Sequence, residues 1–309
     1  MERRILMRNK YNDVISGDFN FSSCRTLVIS GGGFKALYFV GAVDAMELCR
    51  VDCYAGTSCG AALCALMCAG ATPLSILKRI VNQRKNLGVC SDALESKLKL
   101  SITPMVRSNR VTIGASVMTL FNMLALFGVA KFIEEFEDFI FDLGHDRKIT
   151  FEELHRKTGK NLAIVATDIV SKFEPYVMST STTPNMSISE GFSASCSLAV
   201  PVRVGHKLLM DGYYSDNFPV HVAMTMWPDR SAVCVCSSNT PFGVYARRYY
   251  EDRRCHFVIL PLEPTCGEGV FAGSELMFVM YHFGYRFVAN NRRKVDFRNR
   301  NDGRSNEVP

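Results

Sequence analysis

Leu27-Val28-Ile29-Ser30-Gly31-Gly32-Gly33-Phe34-Lys35 and, one βαβ unit further on, Gly56-Thr57-Ser58-Cys59-Gly60 decide how this chain folds. The first stretch opens as a short buried strand, and its three glycines let the backbone turn sharply and bring bare N–H groups close to an anion. A helix is expected next, because from Ala36 to Leu48 the only charges are Asp44 and Glu47, three apart and so on one face. A strand through Val51 to Ala55 then leads into Gly-x-Ser-x-Gly, the pattern of a nucleophile elbow. That tight strand-to-helix turn wants glycine at its flanks, Gly56 and Gly60, because the backbone is strained and neighbouring elements approach closely. No charge falls between Asp52 and Lys78, so the helix that begins near Cys59 is apolar all round and central, with Ser58 at its N-terminus.

Two blander readings compete. Ser58 can be a helix N-cap and the glycines turn residues. Gly31-Gly32-Gly33-Phe34-Lys35-Ala36 also satisfies G-x-G-x-x-A, with Asp52 about 20 residues on, where a dinucleotide-binding fold places its ribose-binding acid.

Asp211-Gly212-Tyr213-Tyr214-Ser215-Asp216-Asn217-Phe218-Pro219-Val220, preceded by Ser193-Ala194-Ser195-Cys196-Ser197-Leu198-Ala199-Val200-Pro201, separates these readings. Together with the two opening stretches it resembles the patatin-like phospholipase family, whose motifs are a glycine-rich loop with a basic residue, G-x-S-x-G and Asp-Gly-Gly/Ala. The resemblance runs from about Arg25 to Val222 and takes in Ala163-Ile164-Val165-Ala166-Thr167-Asp168, similar to the family's central strand. It implies an α/β, three-layer architecture with a mainly parallel central sheet and helices on both faces. It also implies Ser58 as nucleophile, Asp211 as its partner, and Gly31, Gly32, Gly33, Phe34 and Lys35 as the oxyanion loop. No metal or other cofactor is implied. The expected partners are a phospholipid or other lipid ester and a peripheral membrane surface, not nucleic acid. Two positions depart from the family pattern: Ala36 stands where glycine is usual, and Tyr213 where glycine or alanine is.

At 309 residues, 48% hydrophobic and 21% charged, the chain can bury a large core, and no Pro-, Gly- or Ser-rich linker interrupts it. The expected organisation is an N-terminal extension over 1–24, a catalytic domain over 25–285 and a basic tail over 286–309. The first 23 residues carry Arg3, Arg4, Arg8 and Lys10 without the apolar core of a secretory signal or anchor, which makes a cytoplasmic address the default. The 12 cysteines include no C-x-x-C pair, and several sit in apolar helical stretches, so they read as small buried hydrophobes rather than a disulfide framework or a zinc site.

Residues 111–130 are uncharged, yet Thr112, Ser116, Thr119 and Asn122 form a weakly polar helical stripe, favouring a packed helix or lid over a membrane span. Phe132, Phe136, Phe139 and Leu143 mark an amphipathic helix with Glu134, Glu135, Glu137 and Asp138 outside. Thr150-Phe151-Glu152-Glu153 has capping-box spacing for a helix ending near Gly159, and Gly159-Lys160 lacks the rest of a P-loop. A buried strand over Ala232–Cys236 and a closing helix over Gly273–Asn290 complete the alternation that predicts a parallel sheet. Beyond them Arg286 to Arg304 holds seven basic residues against two acids, the composition of a mobile tail or an anionic-membrane contact.

A serine hydroxyl is a poor nucleophile and an ordinary aspartate, with a pKa of about 3.9, a poor base. Burial raises a carboxylate's pKa, so Asp211 can take the Ser58 proton during attack, while N–H groups of the glycine loop each contribute about 3 kcal/mol to an oxyanion. Taken alone, Asp211-Gly212 reads as a hairpin turn. The order Ser58, Asp211, His256 or His282 would also suit an α/β-hydrolase triad, but that fold draws an oxyanion N–H from a loop after its third strand, and only 30 residues precede Gly31 here. The expected activity is hydrolysis of carboxylic esters in lipids through a Ser58/Asp211 dyad. A catalytically silent lipid-binding module with Tyr213 filling the site, or a dinucleotide binder, are the alternatives.

Overall fold

The structure, a computed structural model, describes residues 7–8, 14–15, 21–82, 131–198, 200–238, 240, 248–249, 252–261 and 278–291. In chain order the strands are β1 (Met7–Arg8), β2 (Val14–Ile15), β3 (Thr26–Ile29), β4 (Cys53–Thr57), β5 (Asn161–Asp168), β6 (Glu174–Ser179), β7 (Val202–Val204), β8 (Lys207–Asp211), β9 (Ala232–Ser237) and β10 (Cys255–Leu260). The helices are α1 (Ala36–Met46), α2 (Cys59–Cys68), α3 (73–82), α4 (131–142), α5 (Phe151–Thr158), α6 (Ile188–Ser195), α7 (Val220–Met226) and α8 (278–291).

All the strands join one mixed sheet in the order β1-β2-β10-β9-β3-β4-β5-β8-β7, with β6 also on β5. Its centre, β10-β9-β3-β4-β5, is parallel, as the alternation of strands and helices predicts. The antiparallel flanks are not foreseen: β1, β2 and β7, of two or three residues, carry almost no periodicity, and the longer β6 and β8 carry no local mark of their direction. Two of them, β1 and β2, come from the stretch expected as an N-terminal extension, and β2 pairs with β10.

Period-two alternation divides the central strands between two cores. Leu27, Ile29, Tyr54, Leu162, Ile164, Val233 and Val235 face α1, α2, α5 and α6. Their neighbours Val28, Ala55, Ala163, Val165, Cys234 and Cys236 face α7 and Phe218 on the other side. Helices therefore cover both faces, and α2, buried at all ten residues, lies against the sheet centre. The Thr150–Glu153 capping box forms and starts α5, which stops at Gly159 with φ 69°. A second box, Ser187 with Glu190, starts α6.

Three local expectations change. On α4 the inner face is Phe136, Phe139 and Ile140, while Phe132 is 51% exposed with its ring tilted against that of Phe192. Asp211-Gly212 is not a hairpin turn, since Asp211 ends β8 and caps the 3-10 turn Gly212–Tyr214. Helix α8 continues through 291, six residues into the stretch assigned to a tail. It crosses α1 so closely that a Cβ on Gly41 would lie 2.0 Å from the Tyr281 carbonyl oxygen and one on Gly284 2.1 Å from that of Tyr38. The segments 111–130 and 292–309 lie outside the described residues. Among those described, no helix is long and apolar enough to cross a membrane, and ten cysteines are free, eight of them buried.

Candidate active site

Sheet register brings the three diagnostic stretches together. Ile29 pairs with Gly56 across β3 and β4, so the glycine loop and the elbow leave the sheet side by side at its C-terminal end. Over 163–168 one edge of β5 is held by β6; the other edge holds β4 as far as Thr57 opposite Val165, then β8 from Asp211 opposite Ala166. Strand β4 runs with β5 and β8 against it, so their ends meet at adjacent residues of β5. Ser58 and Asp211 stand at that joint.

At the joint the Ser58 hydroxyl donates to Asp211 Oδ2 at 2.8 Å, and the Tyr213 N–H donates to Oδ1 at 2.8 Å. Asp211 is wholly buried, and burial raises its pKa to about 6 against the opposing pull of those two hydrogen bonds. Ser58 has φ 55° and ψ −127°, a strained backbone that the packing around it enforces. The flanking glycines are there for space: a Cβ on Gly56 would lie 2.4 Å from the Gly60 oxygen, and one on Gly60 2.4 Å from the Ile29 oxygen. Gly212 is fixed in the same way, 2.4 Å from the Val165 oxygen. At the family departure beside it, Tyr213 is 52% exposed and its ring stands nearly perpendicular to that of Tyr214. Ala36 sits at φ −44°, ψ −41°, ordinary helical values that need no glycine.

The glycine loop is narrower as a donor set than the sequence suggests. Gly31 N–H is already given to the Asn217 carbonyl at 2.9 Å, and Lys35 N–H to the Gly32 carbonyl at 3.1 Å. The Gly32 and Gly33 amides face the buried thiol of Cys59, which burial pushes up to about 12. Gly33 alone in the loop has a left-handed φ, 55°, with open space around it. Phe34 lies in the short 3-10 turn Gly33–Lys35 that leads into α1.

Sequence reading passed over what holds these parts in register. Asp216 and Asn217 tie the elbow to the loop, since the Thr57 hydroxyl donates to the Asp216 carbonyl at 2.8 Å. A Cβ on Gly31 would lie 2.1 Å from Asn217 Oδ1. The Asp216 carboxyl is itself buried and raised to about 6. At the end of α6 the Ser195 hydroxyl accepts from the Ser58 N–H, and two residues beyond it the Ser197 carbonyl accepts from the Asp211 N–H. The unassigned polar residues in the quoted stretches, Ser195, Ser197, Asp216 and Asn217, were the available signal.

Geometry also removes two rivals. Asp52, the ribose-binding candidate, precedes β4 and pairs with Arg25 and Arg230, at the opposite end of the sheet from the glycine loop. Among the described residues, neither oxygen of Asp211 is hydrogen-bonded to a histidine. His155 and His145 bond the carbonyls of Lys160 and Ala69, and His282 packs on Tyr281.

A three-layer sheet carrying a serine elbow, a buried aspartate and a glycine loop at one end defines a serine-hydrolase-like site. Residues 27–224 match the family described as patatin-like phospholipase, and the chain belongs to that family of lipid hydrolases. Among its relatives is the probable lipid hydrolase 463L of Invertebrate iridescent virus 6, 25% identical over 229 residues, spanning 72% of this chain and 71% of that one. Similar solved structures include ExoU of Pseudomonas aeruginosa in its heterodimeric complex with SpcU (18% identity, 95% of this chain and 57% of that one, TM-score 0.48). VipD of Legionella pneumophila is another (15% identity, 77% and 54%, TM-score 0.43). The chain thus spans little more than half the length of these solved structures.

Proposed function

We propose that the chain cleaves carboxylic ester bonds of phospholipids or related lipids through a Ser58/Asp211 dyad and an acyl-enzyme intermediate. The observation that carries this reading is the 2.8 Å hydrogen bond from the Ser58 hydroxyl to a buried, uncompensated carboxylate. With a pKa of about 6, Asp211 is ionised at neutral pH yet basic enough to accept a proton as the serine oxygen bonds to the ester carbon. The oxyanion that forms is assigned to the Gly32 and Gly33 amides, which exchange their contact with the neutral Cys59 thiol for the stronger anionic acceptor. Collapse of the tetrahedral intermediate breaks the ester C–O bond, and the departing alcohol takes the proton from Asp211. Water then attacks the acyl-serine and passes a proton to Asp211; the acyl–oxygen bond to Ser58 breaks, and the serine oxygen takes that proton back, leaving a fatty acid, the Ser58 hydroxyl and the Asp211 carboxylate.

A lipid ester suits the surroundings. Tyr213 and Tyr214 are exposed in the turn that follows Asp211, and the Tyr214 hydroxyl donates to the carbonyl of exposed Leu198, so apolar surface adjoins the turn that carries the aspartate. The purified chain is expected to label at Ser58 with a fluorophosphonate and to release fatty acid from phospholipid vesicles. Labelling elsewhere, or full hydrolysis by Ser58→Ala, would overturn the dyad.

A further inference from the structure

Where β4 ends and its chain turns into the elbow, the pairing with β5 loses a direct partner. Ser195 fills the gap. Its hydroxyl accepts the Ser58 N–H at 2.8 Å and donates to the Val165 carbonyl at 2.6 Å, a one-atom bridge between the elbow and β5. Ser195 is 0% exposed, so water cannot take its place at either group. The two residues after it continue the clasp. The Ser58 hydroxyl lies within hydrogen-bond reach of the Cys196 thiol, and the Ser197 carbonyl accepts the Asp211 N–H at 2.8 Å. One short run at the end of α6 thus holds both partners of the 2.8 Å Ser58–Asp211 bond.

We infer that Ser195 is a positioning residue for hydrolysis: its hydroxyl splices the strained elbow onto β5 and so sets the Ser58 oxygen against Asp211. The inference rests on the dyad reading above. Holding the Ser58 N–H in this way also directs it to Ser195, which leaves the oxyanion to the glycine loop. Without the bridge, Ser58 N–H and the Val165 carbonyl are buried and unpaired, and the elbow relaxes away from its positive φ.

Ser195→Ala is expected to lower kcat on a phospholipid ester 10- to 100-fold, with KM changed less than threefold, because displacement of a reacting atom by a fraction of an ångström acts on chemistry rather than on substrate contacts. The second readout is the acid limb of the kcat/KM profile. The Ser58 hydrogen bond lowers the Asp211 pKa, so loosening that bond moves the limb to higher pH in Ser195→Ala, an effect that simple loss of folded protein does not produce. Ser195→Thr, which keeps the hydroxyl, should recover activity and limb together. Wild-type kcat in Ser195→Ala, or a fall in kcat with an unmoved limb, overturns the inference. Ser58→Ala serves as the separate control: if it retains hydrolysis, the dyad itself fails, whereas an inactive Ser58→Ala beside an unaffected Ser195→Ala sinks only the role of Ser195.

Discussion

Asp168 and Asp211 occupy the same β5–β8 ladder, Asp168 opposite Leu209 and Asp211 opposite Ala166, and they are 2% and 0% exposed. Their chemistry diverges completely. Asp168 meets the Lys207 ammonium and accepts from the Ser171 hydroxyl and the Val170 and Ser171 amides, which hold its pKa down at about 2. Among the described residues Asp211 meets one hydroxyl and one amide and no cation, and burial lifts it to about 6. Two rungs of one ladder thus carry a carboxylate held down by a cation and one lifted by burial, the contrast that the proposed dyad needs.

The largest effect separating the two should come from neutralising each in turn. Asp211→Asn is expected to reduce kcat/KM at least 10³-fold, while Asp168→Asn leaves it within about threefold. Stability should move the other way. A carboxyl whose folded pKa is raised supports the fold fully below its ordinary 3.8 and loses that support as pH rises through about 6. At pH 7 Asp211→Asn therefore removes an unfavourable buried charge and should raise stability by about 2 kcal/mol, with no gain near pH 3.5. Thermal unfolding at the two pH values reads this directly.

Next in size is the pH dependence of the wild-type enzyme. Only ionised Asp211 can accept a proton, so kcat/KM should fall about tenfold for each pH unit below about 6 and flatten above it. A limb near 4 would mean that Asp211 is no more desolvated than an ordinary surface acid, and the contrast with Asp168 would be lost.

Most of this contrast could not be read from the chain. The parallel centre, the elbow and the glycine loop were legible because each is a local pattern: a buried run ending in glycine, a Gly-x-Ser-x-Gly, a charge-free helix. Ser58 and Asp211, which the structure brings within hydrogen-bond distance, stand in such patterns too. What the sequence hid was register. Nothing local to Asp211 says that β8 approaches β5 from the far end and stops where β4 stops, yet that pairing alone brings Asp211 to Ser58. Nor does Thr167-Asp168 reveal Lys207, whose side chain arrives from the antiparallel flank. Gly31 makes the same point in reverse, for its amide looks available until Asn217, 186 residues on, is placed against it.

The smallest effect tests why Asp168 tolerates burial. Its contribution to stability is present above 3.8 and fades as pH falls through about 2, because the charged form is the one the fold favours. Lys207→Met keeps an unbranched stem but removes the cation, together with its place over the Tyr176 ring, so Asp168 is left charged, buried and dependent on Ser171 and Val170 alone. Thermal unfolding at pH 7 should then drop by roughly 3 °C and the acid transition should move upward, with activity unchanged. Breaking a buried pair from one side is worse than removing both charges. The double variant Asp168→Asn/Lys207→Met should accordingly regain part of the loss seen in Lys207→Met alone. If the double variant unfolds earlier than either single one, the ion pair is not what distinguishes the two aspartates, and the hydrogen bonds around Asp168 must be.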